Sequence, residues 1–165
     1  MNENLRPTFL TVLCVLTFIG SGMGIFNSFS SYSNAEMTVG ITNEVMDKAM
    51  DDVEDQIDDE DGSAFLSKIM GSVSEGLTVE NVKNLGIANG ISSILTLIGA
   101  ILMWSLDRKG FWLYIFGTAV AIIAPVMIYE GILGIMAGGG AALIGIIFSV
   151  LYFLNLKHLV TIQVH

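Results

Sequence analysis

Long apolar stretches separated by short polar connections dominate the pattern of this 165-residue sequence. Because each helical residue rises about 1.5 Å, a helix crosses the roughly 30 Å hydrocarbon core of a bilayer with about 20 apolar residues. Four stretches are long enough, and we predict membrane-spanning helices at residues 8–30, 84–106, 111–129 and 137–157. The pattern therefore predicts an all-α fold, an integral membrane four-helix bundle.

The start of the fourth span is less sharply marked than the other boundaries. Glycines follow Glu130 at positions 131, 134 and 138–140, and closely spaced glycines are typical of turns. We therefore place the turn between the third and fourth spans at residues 130–137.

A polar segment separates the first two spans, and we name it the cap (residues 36–83). Apolar residues recur at helical spacing over 42–61 with carboxylates between them, which predicts an amphipathic helix. We expect Gly62 to end this helix, Ser63 to cap the next one and Gly76 to end that one. Thr78 then starts a helix that continues into the second span. The cap is thus predicted to be a small helical insert whose apolar faces need a partner.

Acidity is concentrated in the cap. The chain has a net charge of -9, and residues 36–61 hold eleven carboxylates and one lysine, a local net charge of -10. An EF-hand calcium loop built around Gly62 fails, because Ile57 and Lys68 fall where it needs carboxylates. We expect no dedicated metal site, and weak, diffuse attraction of divalent cations is the alternative to a plainly solvated acidic face. The residues assigned to this face are Asp51, Asp55, Asp58 and Asp59.

Composition agrees with a membrane protein. Hydrophobic residues make up 53% of the chain and charged residues 14%, with a mean hydropathy of +0.69. These values exclude a disordered tail and a nucleic-acid partner. The single cysteine, Cys14, excludes an internal disulfide and is expected to be a buried, inert thiol.

Basic residues predict the orientation of the spans. Arg108 and Lys109 lie between spans two and three, whereas the connection between spans three and four contains no lysine or arginine. Short connections rich in these residues stay in the cytoplasm, so both termini are predicted to be cytoplasmic and the cap extracytoplasmic. A cleaved signal peptide is the alternative for the first stretch, which is longer than an ordinary signal-peptide apolar region.

Small residues line two predicted spans at the spacing of helix contacts. They are Gly20 and Gly24 in span one, and Gly86, Gly90, Ser93 and Ala100 in span two. In lipid, small residues let two helix backbones approach closely, which strengthens dispersion contacts. We assign these residues to helix packing, either within the bundle or between two copies of the chain.

Polar chemistry inside the spans is scarce. Asn89 lies well inside span two and Glu130 at the outer end of span three, and these two residues form the candidate polar site. Sequence motifs of metalloproteases, serine hydrolases and nucleotide-binding loops do not occur. We therefore expect a protein that is not an enzyme and has no catalytic residue and no cofactor.

Three segments carry a resemblance to a known kind of protein: residues 6–13, 103–115 and 151–157. Together they resemble small, uncharacterised four-span bacterial inner-membrane proteins. The resemblance implies a four-span topology and a bacterial inner-membrane location. It implies no activity and no site residue. The four-span layout with a large first outer loop is also similar to that of tetraspanin-like and claudin-like proteins. The cap lacks the outer cysteines of those proteins, which sets that similarity aside.

Plentiful packing residues and scarce chemical groups favour a non-catalytic accessory, assembly or scaffold subunit. Besides the lipid bilayer, its expected partner is another membrane protein or a second copy of the chain. A small transporter or channel is one alternative, with the cap concentrating cations and with Asn89 and Glu130 on the path. A sensor of divalent cations or pH is the other alternative.

The predicted orientation determines which residues a membrane-impermeant thiol reagent reaches in intact cells. A cysteine that replaces Asp55 in the cap should react, and a cysteine that replaces Lys109 should react only after permeabilisation. The opposite labelling pattern would contradict the orientation.

Overall fold

The computed structural model describes residues 7–54, 60–129, 131–156 and 159 of the chain. Six helices and no strands lie in these residues: α1 (Thr8–Ser33), α2 (Ala35–Glu54), α3 (Glu60–Gly76), α4 (Val79–Trp104), α5 (Lys109–Ile128) and α6 (Gly131–Leu154). Four of them, α1, α4, α5 and α6, are long and apolar enough to cross a membrane. The predictions of an all-α chain and of four apolar spans are therefore confirmed.

The four long helices follow one another in space as a folded row. Helix α4 packs against α1 on one side and α5 on the other, and α6 packs mainly against α5. Helices α1 and α6 make few contacts, and Thr17 and Tyr152 join them near the start of α1 and the end of α6. The buried core lies at this end, and it contains Leu10, Leu13, Cys14, Met103, Phe111, Tyr114, Tyr152 and Leu159.

The predicted start of the fourth span was wrong. Helix α6 begins at Gly131, six residues earlier than expected. Gly131 has a φ of +68°, a backbone conformation that glycine adopts without strain at the start of a helix after a turn. The following glycines belong to the contact with α5. A Cβ on Gly138 would lie 2.8 Å from the Ile122 carbonyl oxygen, and one on Gly134 would lie 3.1 Å from the Pro125 carbonyl oxygen.

The helix boundaries in the cap also differ from the predicted ones. Helix α2 begins at Ala35, directly after α1, and Gly62 and Ser63 lie inside α3 and do not separate two helices. Glycine is compatible with helical backbone angles as well as with the angles that end a helix, so a glycine does not by itself force a helix to end. The two later predictions are confirmed, since α3 ends at Gly76 and the Asn81 backbone N–H donates to the Thr78 hydroxyl at 3.1 Å.

Helices α4 and α5 approach each other closely at glycine residues, and sequence analysis did not identify this contact. Gly99 faces Gly110, and Gly117 lies over the turn that contains Ser92. The Ser92 hydroxyl donates to the Gly117 carbonyl oxygen at 2.8 Å. Small residues at this contact let one helix backbone lie directly against the other.

Gly99→Ala tests this contact. Its Cβ would lie 2.8 Å from both the Gly110 carbonyl oxygen and the Tyr114 nitrogen, and overpacking of this kind typically costs about 1–3 kcal/mol. We expect the thermal unfolding temperature in detergent to fall by several degrees. Gly22→Ala is the matched control, because a Cβ there meets nothing within 4 Å; equal effects of the two variants would contradict the proposed close approach.

Candidate functional site

The inward face of α1 consists of small and hydroxyl-bearing residues. Thr17, Ser21 and Ser28 are buried on it, and Gly24 lies on the same side because residues three or four apart share a helix face. Opposite Gly24 is the Ser93 side chain on α4. Added Cβ atoms on Gly86 and Gly90 would lie 3.2 Å from the Ser28 carbonyl oxygen and 3.4 Å from the Ser28 Cβ, respectively.

Two predicted packing residues have different positions. Ala100 is fully buried. It lies on the same side of α4 as Ser93, because residues seven apart share a helix face. Gly20 is exposed, and an added Cβ meets nothing within 4 Å, so its assignment to packing within the bundle is corrected. Ser21, the next residue, occupies the contact with α4 because the helix turns by about 100° per residue.

Hydroxyl groups connect three helices across the bundle. Ser21 Oγ and Thr96 Oγ1 share a hydrogen bond of 2.9 Å between α1 and α4. The Thr96 hydroxyl also lies 3.0 Å from the Ser92 carbonyl oxygen, and the Ser92 hydroxyl donates to Gly117 on α5. Within a bilayer, such groups need partners inside the protein. These contacts serve packing, because each hydroxyl is bonded to a neighbouring helix or to a backbone carbonyl.

Tyr152 joins the two ends of the row of helices. Its side chain is completely buried, its hydroxyl shares a 2.7 Å hydrogen bond with Thr17 Oγ1, and its ring centroid lies 4.9 Å from that of Tyr114. Cys14 is also fully buried, in the same core cluster as Tyr152. The burial predicted for this thiol is confirmed. The role of Tyr152 was missed, because its only signal was a polar hydroxyl within an apolar span.

Of the two residues predicted as a polar site, the structure describes only Asn89. Asn89 is half-buried on α4, and its amide makes no hydrogen bond with any described residue. Glu130 lies outside the described residues. Among the described residues no group of three or more histidine, cysteine, aspartate or glutamate residues could hold a metal ion.

Of the predicted acidic face, Asp51 belongs to α2, and Asp55, Asp58 and Asp59 lie outside the described residues. On the described part of α2, Glu44 and Lys48 form an ion pair of 2.7 Å. Both side chains are about 70% exposed (69% and 71%), and an exposed pair of this kind stabilises a helix only slightly. The pair therefore does not explain what holds the cap in place.

Large apolar side chains are exposed on the two helices between α1 and α4. Met37, Ile41 and Val45 follow one another at four-residue spacing on α2 and are 64%, 56% and 59% exposed. Phe65 on α3 is 63% exposed. Four-residue spacing places the three α2 side chains along one line of the helix surface. No residue that the structure describes covers the line or Phe65.

A polar cavity lies where α3 meets the start of α4 and the turn between α5 and α6. Its volume is about 520 Å³, and Ser72, Glu75, Gly76, Asn81, Ile128 and Gly131 line it. The Asn81 amide donates to the Gly76 carbonyl oxygen at 2.8 Å, and so satisfies the end of α3. The cavity is therefore built around a connection between helices, and its carboxylate, Glu75, is exposed.

Comparisons of the chain with protein-family models, with curated proteins and with solved structures found no match.

A double-mutant cycle between Thr17→Val and Tyr152→Phe tests the contact between α1 and α6. Interhelical hydrogen bonds in membranes couple by about 0.6 kcal/mol on average, and by up to about 1.7 kcal/mol. We expect a coupling energy in that range for unfolding in mixed detergent. Ser28→Ala combined with Tyr152→Phe is the control and should be additive, because Ser28 donates within its own helix, to the Gly24 carbonyl oxygen. If the effects of Thr17→Val and Tyr152→Phe on the unfolding free energy are additive, the result would contradict the hydrogen bond between the two residues.

Proposed function

We propose that this chain is a non-catalytic integral membrane protein that acts as an accessory, assembly or scaffold subunit by binding a protein partner through its cap. The observation that carries the proposal is the exposure of Val45 and Phe65 on cap helices that also carry carboxylates. Exposed apolar groups within a polar surface are typical of interaction sites.

The use of polar groups inside the bundle supports the same proposal. Ser21, Ser92 and Thr96 bond to neighbouring helices or to backbone carbonyls, and Thr17 bonds to Tyr152. A transport path or an active site requires polar groups that are free to meet a substrate. These hydroxyl groups are thus already used in holding helices together.

The location is part of the proposal. The basic connection at Arg108 and Lys109 and the resemblance to four-span inner-membrane proteins support a bacterial cytoplasmic membrane with the cap on the outer side. In that arrangement the acidic cap meets an extracytoplasmic domain or loop of the partner. A basic surface on that partner complements the charge of the cap.

Site-specific photocrosslinking in native membranes tests the proposed contact. A photoreactive residue at Val45 or Phe65 should give an adduct with one protein other than this chain, which mass spectrometry identifies. A residue at Leu143 is the control, because it lies on α6 and is 69% exposed. Deletion of the chain should lower the assembly of that protein, and the wild-type chain but not Phe65→Asp should restore it.

Two results would contradict the proposal. One is that neither Val45 nor Phe65 gives a protein adduct and that deletion of the chain leaves the assembly of neighbouring membrane proteins unchanged. The other is a flux of ions or solutes through liposomes containing the purified chain, above that of protein-free liposomes, which would favour the transporter.

A further inference from the structure

A second exposed line runs along α1. Its residues recur at alternating intervals of four and three, the repeat that brings two helices together in a left-handed coiled coil. We name it the seam, and it consists of Leu16, Gly20, Met23, Asn27 and Ser30. Four of the five are exposed and Ser30 is partly exposed.

The seam lies within α1, because the helix is interrupted at Asn34. The backbone of Asn34 has a φ of -110° and a ψ of 22°, and α2 begins at Ala35. The Asn34 N–H donates to the Ser30 carbonyl oxygen at 2.9 Å, which belongs to the end of α1, and the Thr38 N–H donates to the Asn34 carbonyl oxygen at 2.9 Å, which belongs to the start of α2. A partner helix that follows the seam therefore packs along α1.

Within the membrane, the seam carries a side-chain amide that faces away from the bundle. Asn27 is exposed, and its amide has no hydrogen bond among the residues that the structure describes. It lies about 10 Å from the middle of α1, inside the half-thickness of about 15 Å of the hydrocarbon core. An amide without a partner in hydrocarbon is costly. Sequence analysis had not singled it out.

A second copy of the chain offers an amide at the depth of Asn27. Two copies inserted in the same orientation place their α1 helices parallel, so each seam residue meets its own counterpart at the same depth. The asparagine amide is both donor and acceptor, so Asn27 complements Asn27 of the second copy, and an asparagine at this kind of position selects a parallel, in-register pair. Gly20 leaves open space that lets the two helices approach closely.

We propose that the chain forms a parallel, in-register homodimer along the seam, with Asn27 of one copy hydrogen-bonded to Asn27 of the other. This goes beyond the proposed function, because it concerns a different partner and a different surface from Val45 and Phe65.

Disulfide trapping in native membranes tests the dimer with a matched pair of variants. Gly20 and Gly22 are both exposed on α1, and a Cβ on either meets nothing within 4 Å, but only Gly20 belongs to the seam. Under mild oxidation Gly20→Cys should give a covalent homodimer, and Gly22→Cys and the wild-type chain with its buried Cys14 should remain monomeric. Equal trapping at both positions reports random collision and would overturn the proposal.

The amide is tested by energy transfer between labelled full-length chains diluted into liposomes. Asn27→Leu should weaken dimerisation roughly three- to thirty-fold, the range expected for the loss of one interhelical hydrogen bond, and Asn27→Gln should restore part of it. Asn27→Leu faces lipid, so folding is preserved, which the unfolding temperature checks. A chain that stays monomeric at every lipid dilution, or whose Gly20→Cys variant is trapped only with a different protein, would refute the dimer without affecting the test at Val45 and Phe65.

Discussion

The hydrocarbon core of a bilayer offers no water to hydrogen-bond with, and the interior of this protein follows from that constraint. Between lipid and protein there is little hydrophobic difference, so helices associate where backbones can come close and where hydroxyl groups find partners. Gly99 against Gly110 supplies the first kind of contact, and Ser21 with Thr96 supplies the second. Bulky apolar side chains are left to face lipid, as Phe26 and Met127 do.

The position of α4 gives this packing its shape. One side of α4 carries Gly86 and Gly90 towards α1, and another carries Ser92 and Gly99 towards α5. Helix α6 then lies on α5 and returns to α1 only at Tyr152. The row of helices is therefore closed at one end by buried aromatic and hydroxyl groups, whereas Gly20 and Asn27 on α1 stay uncovered further along.

Two uncovered surfaces result, and they differ in chemistry. The seam combines an amide at membrane depth with small and apolar residues, which suits an identical helix. The cap combines Val45 and Phe65 with many carboxylates, which suits a different protein with basic groups. A dimer formed along the seam would present two copies of the cap side by side, and this doubles the surface available to such a protein.

The sequence by itself determined the helical class and the four apolar spans, because about 20 consecutive apolar residues have few other stable environments. It also located Thr78 at the start of α4, because a hydroxyl that accepts a backbone N–H is a local signal. It could not distinguish a glycine that turns the chain, such as Gly131, from one that packs, such as Gly138, since both have the same local signature.

Only the tertiary structure decided which face of each helix is covered. Gly20 and Ser21 are neighbours in sequence, yet the direction of α4 leaves one exposed and buries the other. Tyr152 and Thr17 are 135 residues apart, and nothing local to either predicts their hydrogen bond. The same applies to the candidate surfaces, because exposure depends on where the other helices run, and that is a property of the packed chain.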